Sequence, residues 1–252
     1  MEDWRVLNAT RSLASTLHVD VLRSVDDAAL VALSGGRFRT IAAMECSGLA
    51  RLRRQDLQVA ARMCAHAFEE EPHTVYFFAD EERRSRDSVE FFRMRIRYGL
   101  RYGEVRVTST DLEGIAVWLP AERAAMTMWG QIRSGGMGLY RVVGKEAVAR
   151  MTHVAEHNER LRRQHVSGRH WFLSILAVDP EHQRRGHASK LLSAMIDRLD
   201  RDRISCYAET TQSDVLPFYE RHGFEIGAES TVPGTDLTVW PLVRSPSEAG
   251  GV

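Results

Sequence analysis

Cysteine is nearly absent. The 252 residues include three, Cys46, Cys64 and Cys206, too few and too scattered for a disulfide framework or a zinc knuckle. They read as buried free thiols in a reducing compartment. Net charge is absent as well. The 34 Lys and Arg balance the 34 Asp and Glu. Nothing therefore points to nucleic acid or an acidic membrane as partner, since both call for a basic excess. No run approaches the roughly 18 apolar residues of a membrane span. The opening Met1-Glu-Asp-Trp4 has neither the basic nor the apolar region of a secretory signal. The expectation is a cytoplasmic protein with no nucleic acid and no membrane partner. No low-complexity linker divides the chain, and no repeat of roughly 20–50 residues appears. The apolar fraction of 44% is enough for a sizeable core.

What is present is one organising stretch, Trp171 to Leu192. Trp171 to Val178 is apolar except for Ser174, which suits a strand buried on both faces. Asp179-Pro180 ends it, because proline cannot continue a ladder. Gln183-Arg-Arg-Gly186-His-Ala188 follows, and then a helix over Ser189 to Leu199. Leu191, Leu192, Met195, Ile196 and Leu199 give that helix one apolar face. A strand, a basic turn with small residues and a helix start can hold an anion. The helix N-terminus carries about half a positive charge, and arginines suit phosphate. An ordinary turn with solvated arginines fits the same spacing. A Walker A loop does not, since no Lys-Ser/Thr pair follows the glycine.

The remaining chain divides at about residue 48. In residues 1–47, Leu13, Leu17, Val21 and Val25 fit a helical stripe, and Gly35-Gly36 is a break. This extension reads equally as a docking arm, an extra layer, or a translated upstream region with the true start at Met44. Residues 1–43 supply no candidate site residue and are expected to be dispensable for chemistry. Residues 48–244 form the main domain, and 245–252 a flexible polar tail. Leu49 to Arg53 reads as a first strand. Asp56 is placed to cap a helix to about Glu70, with Val59, Met63 and Ala67 inward. A second helix spans Glu81 to Tyr102, with Val89, Phe92, Ile96 and Leu100 on one face. Between them His73 to Phe78 reads as an aromatic loop. Glu104 to Thr110 and Ile115 to Leu119 form a hairpin that Pro120 stops. Helical material runs from Glu122 to about Gln164, broken at Ser134 to Gly138. Strands over Ile204 to Glu209, Phe224 to Ala228 and Leu237 to Val243 follow, with a short helix over Asp214 to His222. The pattern is α/β or α+β in one domain.

Two segments carry a resemblance. Val178 to Ala188, followed by Lys190-Leu-Leu, resembles motif A of the GNAT acetyltransferases. Leu216-Pro-Phe-Tyr219-Glu-Arg-His-Gly223-Phe224 resembles the family's second motif. Trp171 to Trp240 is most similar to the antibiotic-type members, puromycin N-acetyltransferases in particular. Weaker resemblance reaches back to about Gly48. The resemblance implies a mixed, mostly antiparallel central sheet flanked by helices on both faces. It implies acetyl-CoA as co-substrate, its pantetheine lying beside the central strand and pairing with backbone of Leu176, Ala177 and Val178. The Val178 N–H is then a candidate oxyanion donor. Gln183, Arg184, Arg185, Gly186, His187, Ala188 and Ser189 would hold the phosphates, and Asp214 would either touch the pantetheine or cap its helix.

Acyl transfer from a thioester to an amine also needs an acid for the leaving thiolate and a route for the amine's proton. By resemblance Tyr219 is the acid; a phenol of ordinary pKa about 10 is protonated at neutral pH. For the base the sequence departs from the family. Some members carry a glutamate where this chain has Phe172 beside Trp171. Glu209, Glu113 or a bound water remain as candidates. The acceptor region is assigned to Tyr76, Phe77, Trp118 and Trp171, and Trp118, Trp129, Tyr76 and Phe77 suggest a closed aromatic pocket. His153-Val-Ala-Glu156-His157 matches a zinc-peptidase pattern, but no third ligand is evident, and a solvated helix face explains it. The expectation is an acetyl-CoA-dependent N-acetyltransferase acting on a primary amine of a small molecule, antibiotic-like or amino-acid-like, by direct transfer in a ternary complex without a metal. Its rivals are a protein or peptide N-acetyltransferase and a non-catalytic acyl-CoA-binding sensor.

Overall fold

A computed structural model describes residues 48–247. The expectations for residues 1–47, Met44 as the start included, and for the end of the tail lie outside the described residues.

The first strand, β1, is short, Ala50–Arg51. Helix α1 (Leu57–Ala67) follows a 3₁₀ turn. Asp56 does not cap it, contrary to expectation; its carboxylate accepts from Arg53 Nε at 2.6 Å instead. Val59 is 56% exposed rather than inward. The buried side of α1 is set by Ala60, Ala61 and Cys64, at helical spacing from Leu57 and Phe68, and Val59 falls off that stripe. The segment expected as an aromatic loop is a helix, α2 (Pro72–Phe77). Proline at its first position has the required φ, and the Glu71 carboxylate accepts the Thr74 N–H at 3.1 Å, capping an otherwise orphaned donor.

Helix α3 (Glu81–Tyr102) has the expected bounds. Asp80 caps it, Glu81 and Glu82 favour its N-terminal dipole, and Phe92 and Ile96 are buried. Gly103 then lets the chain turn against the sheet: a Cβ there would stand 2.0 Å from the Trp118 carbonyl oxygen. Because the obstacle is backbone, Gly103→Ala is expected to destabilise the protein by roughly 2–3 kcal/mol, as overpacking does. A urea melt reads this as a fall in midpoint at unchanged slope.

The sheet follows as β2 (Glu104–Val107) and β3 (Gly114–Pro120), then β4 (His170–Val178), β5 (Ser205–Thr210), β6 (Glu225–Ile226), β7 (Ser230–Thr231) and β8 (Thr238–Arg244). Their order is β1-β2-β3-β4-β5-β8-β6, with β7 beside β8. Among the described residues only the β4–β5 pair is parallel. Between β3 and β4 run α4 (Ala121–Ala124), α5 (Met128–Arg133) and α6 (Gly136–His165), the last kinked at Gly144, where φ is 77°. Helix α7 (His187–Asp202) crosses from β4 to β5, and α8 (Leu216–Arg221) leads from β5 to β6.

Two cores sandwich the sheet. Ala60, Cys64, Phe92 and Ile96 of α1 and α3 pack on Ile115, Val117 and Ile175. Leu191, Leu192, Met195 and Leu199 of α7, with Tyr219 of α8, pack on Ala116, Leu173 and Ala208. The fold is thus the expected mixed, mostly antiparallel sheet with helices on both faces. Its central strand is not buried on both faces as expected: Trp171, Ser174, Leu176 and Val178 are half-buried. At the chain end, Asp200 takes a paired bond from Arg244 at 2.6 and 2.8 Å and the Ser247 N–H at 2.9 Å. No helix among the described residues is long and apolar enough to cross a membrane.

Candidate active site

The site begins with one irregularity. Val117 pairs with Ile175 but the next residue, Trp118, pairs with Leu173, so Ser174 has no partner on β3. It is a β-bulge, which adds a residue and turns the strand. Leu173 and Ile175 would share a face in a regular strand; here they enter opposite cores. On the other side β4 pairs with β5 only at His170↔Ser205, Trp171↔Cys206 and Phe172↔Tyr207. Beyond that the strands part, while β3 stays with β4 as far as Gly114↔Val178. From Leu173 to Val178 the edge of β4 toward β5 therefore has no strand partner among the described residues. The candidates Leu176, Ala177 and Val178 lie on that free edge, which an extended chain could pair with.

The gap opens toward the loop after Val178. Arg184 has φ 60° and Gly186 φ 82°, and Gly186 is the N-cap of α7. Among the described residues the N–H groups of Arg184 to Ser189 have no acceptor; the first paired one is that of Lys190, on the Gly186 carbonyl at 2.9 Å. A Cβ on Gly186 would meet nothing within 4 Å, so the space before these donors is open. Arg184 and Arg185 are exposed beside it. A run of free N–H groups at the start of a 16-residue helix is an anion site by its dipole and its donors. Gln183 leans back on the Val178 carbonyl at 3.4 Å.

The α7 side of the gap carries Tyr219. Its ring is held edge-on by Phe218 and Phe224, at centroid distances of 5.2 and 5.4 Å. Its hydroxyl has no hydrogen-bond partner among the described residues, and burial raises its pKa. The phenol keeps its proton throughout the neutral range.

The α3 side carries a polar cluster outside both motifs. Arg95 of α3 donates to the Ser174 hydroxyl at 2.6 Å. Its charge is felt by Glu209 of β5 and by His73 of α2. Glu209 accepts from Asn158 Nδ2 at 2.8 Å and from the Tyr207 hydroxyl at 3.3 Å. Burial raises the Glu209 pKa, and the Asn158 bond and Arg95 partly offset it. Two buried atoms here lack any partner among the described residues, Asn158 Oδ1 and His73 Nε2. Glu71 closes the cluster, accepting from the Thr211 hydroxyl and lying 3.5 Å from His73 Nδ1.

The aromatic acceptor pocket expected from sequence is not built as proposed. Trp118 is 1% exposed and packs in the core with Leu173 and Leu191. Trp129 is 75% exposed on α5. Trp171 sits at the paired end of β4, under the Arg198 guanidinium at 5.1 Å. Phe77 is buried with Tyr76 packed against it, between α2 and α6. Phe77 also borders a cavity of about 240 Å³ shared with Asp80, Arg83, Glu146 and Arg150, none of which belongs to the polar cluster. Asp214 is exposed and caps no helix. Glu113 makes a poor base, because bonds from Thr108 and Ser109 pull its pKa down to about 2. His153 Nε2 is bound to the Pro233 carbonyl at 2.8 Å and His157 Nε2 to Ser230 at 3.2 Å. Those nitrogens are taken, and among the described residues no group of three His, Cys, Asp or Glu could hold a metal.

Residues 142–226, about a third of the chain, match the family model of the acetyltransferase (GNAT) domain. That stretch of the chain is similar to the GNAT acetyltransferase domain. The match spans β4, the anion loop, α7, β5 and α8, the elements around the gap. The fold is that of GNAT structures. A Corynebacterium glutamicum structure described as histone acetyltransferase HPA2 and related acetyltransferase is 19% identical. It superposes with a TM-score of 0.59 over 81% of this chain and 98% of its own. A putative arylalkylamine N-acetyltransferase 7 from the yellow fever mosquito is 14% identical, with a TM-score of 0.54 over 79% and 87%.

The sequence reading missed Arg95, His73, Glu71, Asn158 and Thr211. Arg95 is one arginine among several on α3, and only the fold selects it. Ser174 did leave a signal, as the single polar residue in an apolar strand.

Proposed function

We propose that this protein is an acetyl-CoA-dependent N-acetyltransferase for a primary amine of a small molecule, antibiotic-like or amino-acid-like. The carrying observation is the parting of β4 and β5 beside a loop of unpaired N–H groups. That gap offers a backbone edge of the kind that pairs with an extended amide chain, and an anion cradle at its mouth. Both fit the pantetheine and phosphates of acetyl-CoA, which supplies the activated thioester. The likeness of residues 142–226 to the GNAT acetyltransferase domain supports the same reading.

In this reading Gln183 to Ser189 bind the phosphates, and Leu176, Ala177 and Val178 align the pantetheine. The Val178 N–H is the donor for the carbonyl oxygen as its charge develops. Tyr219 gives its proton to the leaving sulfur. The Glu209 carboxyl oxygens receive the amine, and Arg95 fixes the bulge beside it. Burial of Tyr219, Glu209 and Arg95 strengthens their interactions by lowering the local dielectric. Transfer is direct, because among the described residues no activated nucleophile stands in the gap.

Acetyl-CoA at about 100 times its dissociation constant should stabilise the fold by about 2.7 kcal/mol. That corresponds to roughly 5–10 °C in melting temperature for a chain of this size. Free thiol should appear when a primary amine is added and not without it. A flat melting curve rules out the cofactor. A shift without thiol release from any amine leaves an acyl-CoA sensor, and release only with peptides moves the acceptor to proteins.

A further inference from the structure

His73 is the one ring in the cluster with a buried nitrogen that lacks a hydrogen-bond partner among the described residues. Its side chain is 18% exposed, yet Nε2 itself is buried without a partner among the described residues. A buried polar atom left unpaired calls for an explanation, and a missing ligand is one. The rest of the ring is held. It stacks on Phe77 at 5.7 Å with the planes 4° apart. Nδ1 faces Glu71 Oε1 at 3.5 Å. Glu71 is fixed in turn by the Thr74 N–H on Oε2 and the Thr211 hydroxyl on Oε1. A carboxylate beside Nδ1 keeps the proton on that nitrogen and leaves Nε2 a bare lone pair. Asn158 Oδ1 is a second unpartnered acceptor, beside Glu209. Acceptors are in excess here, which suits the three N–H groups of a primary ammonium.

We propose that His73 Nε2 takes the proton of the acceptor amine, and that Glu71 is the residue that positions it. This rests on the N-acetyltransferase reading and gives Glu209 the part of holding the amine, with His73 as the base. The groups facing the ring are Glu71 at the start of α2, Arg95 from α3 and His157 from α6. Burial lowers the His73 pKa first; Glu71 opposes this, while Arg95 and His157 add to it. The ring is therefore neutral, and able to accept, at pH 7.

The step balances. R–NH₃⁺ gives a proton to Nε2, and the freed lone pair attacks the acetyl carbon. The N–C bond forms and the C–S bond breaks, its electron pair staying on sulfur. Of the two protons the nitrogen sheds, one leaves through His73 to solvent. The other makes good the proton that Tyr219 gives to sulfur.

The test uses the full chain, acetyl-CoA, and 2-phenylethylamine or putrescine as probe amine, with thiol release followed from pH 5 to 9. Wild-type kcat/KM should fall on the acid side with an apparent pKa below 6.5. His73→Asn should lose that limb and at least ~100-fold in rate, with the melting shift by acetyl-CoA intact. Glu71→Gln, which keeps the cap on α2, should shift the limb and mix the tautomers of His73. Glu209→Gln should raise the amine KM and keep the limb. A limb that survives His73→Asn and vanishes in Glu209→Gln overturns the proposal. Long-range ¹H–¹⁵N spectra give a readout free of turnover. An Nδ1–H ring whose Nε2 shift moves on adding amine supports the assignment, and an Nε2–H ring overturns it. If acetyl-CoA shifts the melt but neither amine is acetylated, those spectra decide. If acetyl-CoA shifts nothing, the N-acetyltransferase reading falls, and the proton role with it.

Discussion

Glutamate in place of Gly186 is expected to abolish the acetyl-CoA melting shift. Gly186 is the N-cap of α7 at φ 82°, a conformation costing an L-residue roughly 1–2 kcal/mol. The free variant should therefore fold, a few degrees less stable, since a Cβ there meets nothing within 4 Å. The carboxylate would project into the open space before the free N–H groups of Arg184 to Ser189. There it fills the anion path, repels phosphate, and competes for the same donors. Gly186→Ala separates the two effects: it bears the φ strain without the charge and should keep most of the shift. If the glutamate variant keeps a full shift, the phosphates do not bind at this turn. If alanine loses the shift as well, the left-handed backbone of the loop decides, and the charge is secondary.

The sequence made this turn legible because its cause is local. Gly186, Ala188 and the helix behind them are adjacent in the chain, and a strand, turn and helix follow from periodicity. The same holds for α3, where caps and stripe agree, and its bounds match. The polar cluster is the opposite case. Glu71 and Thr211 are 140 residues apart, Arg95 and Ser174 79, and Asn158 and Glu209 51. Only tertiary structure brings them together, so no spacing rule could. The bulge matters most. Its single extra residue sends Leu173 and Ile175 into opposite cores and ends the pairing of β4 with β5 three residues in. Trp118 misled for a related reason. A tryptophan near a site reads as a pocket wall, but β3 is fully covered by α3 and α7, and its aromatic ring fills the core.

Removing the Tyr219 hydroxyl is expected to cost turnover without costing the fold. Its ring packs on Phe218 and Phe224 and shares a core with Leu173 and Ala208, the residues that flank the parting of β4 and β5. Tyr219→Phe keeps this packing. The hydroxyl makes no hydrogen bond among the described residues, so no buried partner is left unsatisfied, and the melting temperature should stay nearly unchanged. A proton donor with no protein acceptor is free to serve a substrate atom. Burial raises the phenol's pKa, so the donor stays loaded across the neutral and mildly alkaline range. General acid assistance is worth about 10²–10⁴-fold, or ~3–5 kcal/mol of barrier at about 1.36 kcal/mol per decade. Turnover should therefore fall by at least about two decades with acetyl-CoA affinity little changed. A donor thioester with a more acidic leaving thiol should recover part of the loss, since such a sulfur needs less help. A parallel fall in turnover and affinity would make the hydroxyl a binding group instead. An unchanged single-turnover rate would leave Tyr219 a packing residue, with the thiolate protonated by water or by the amine.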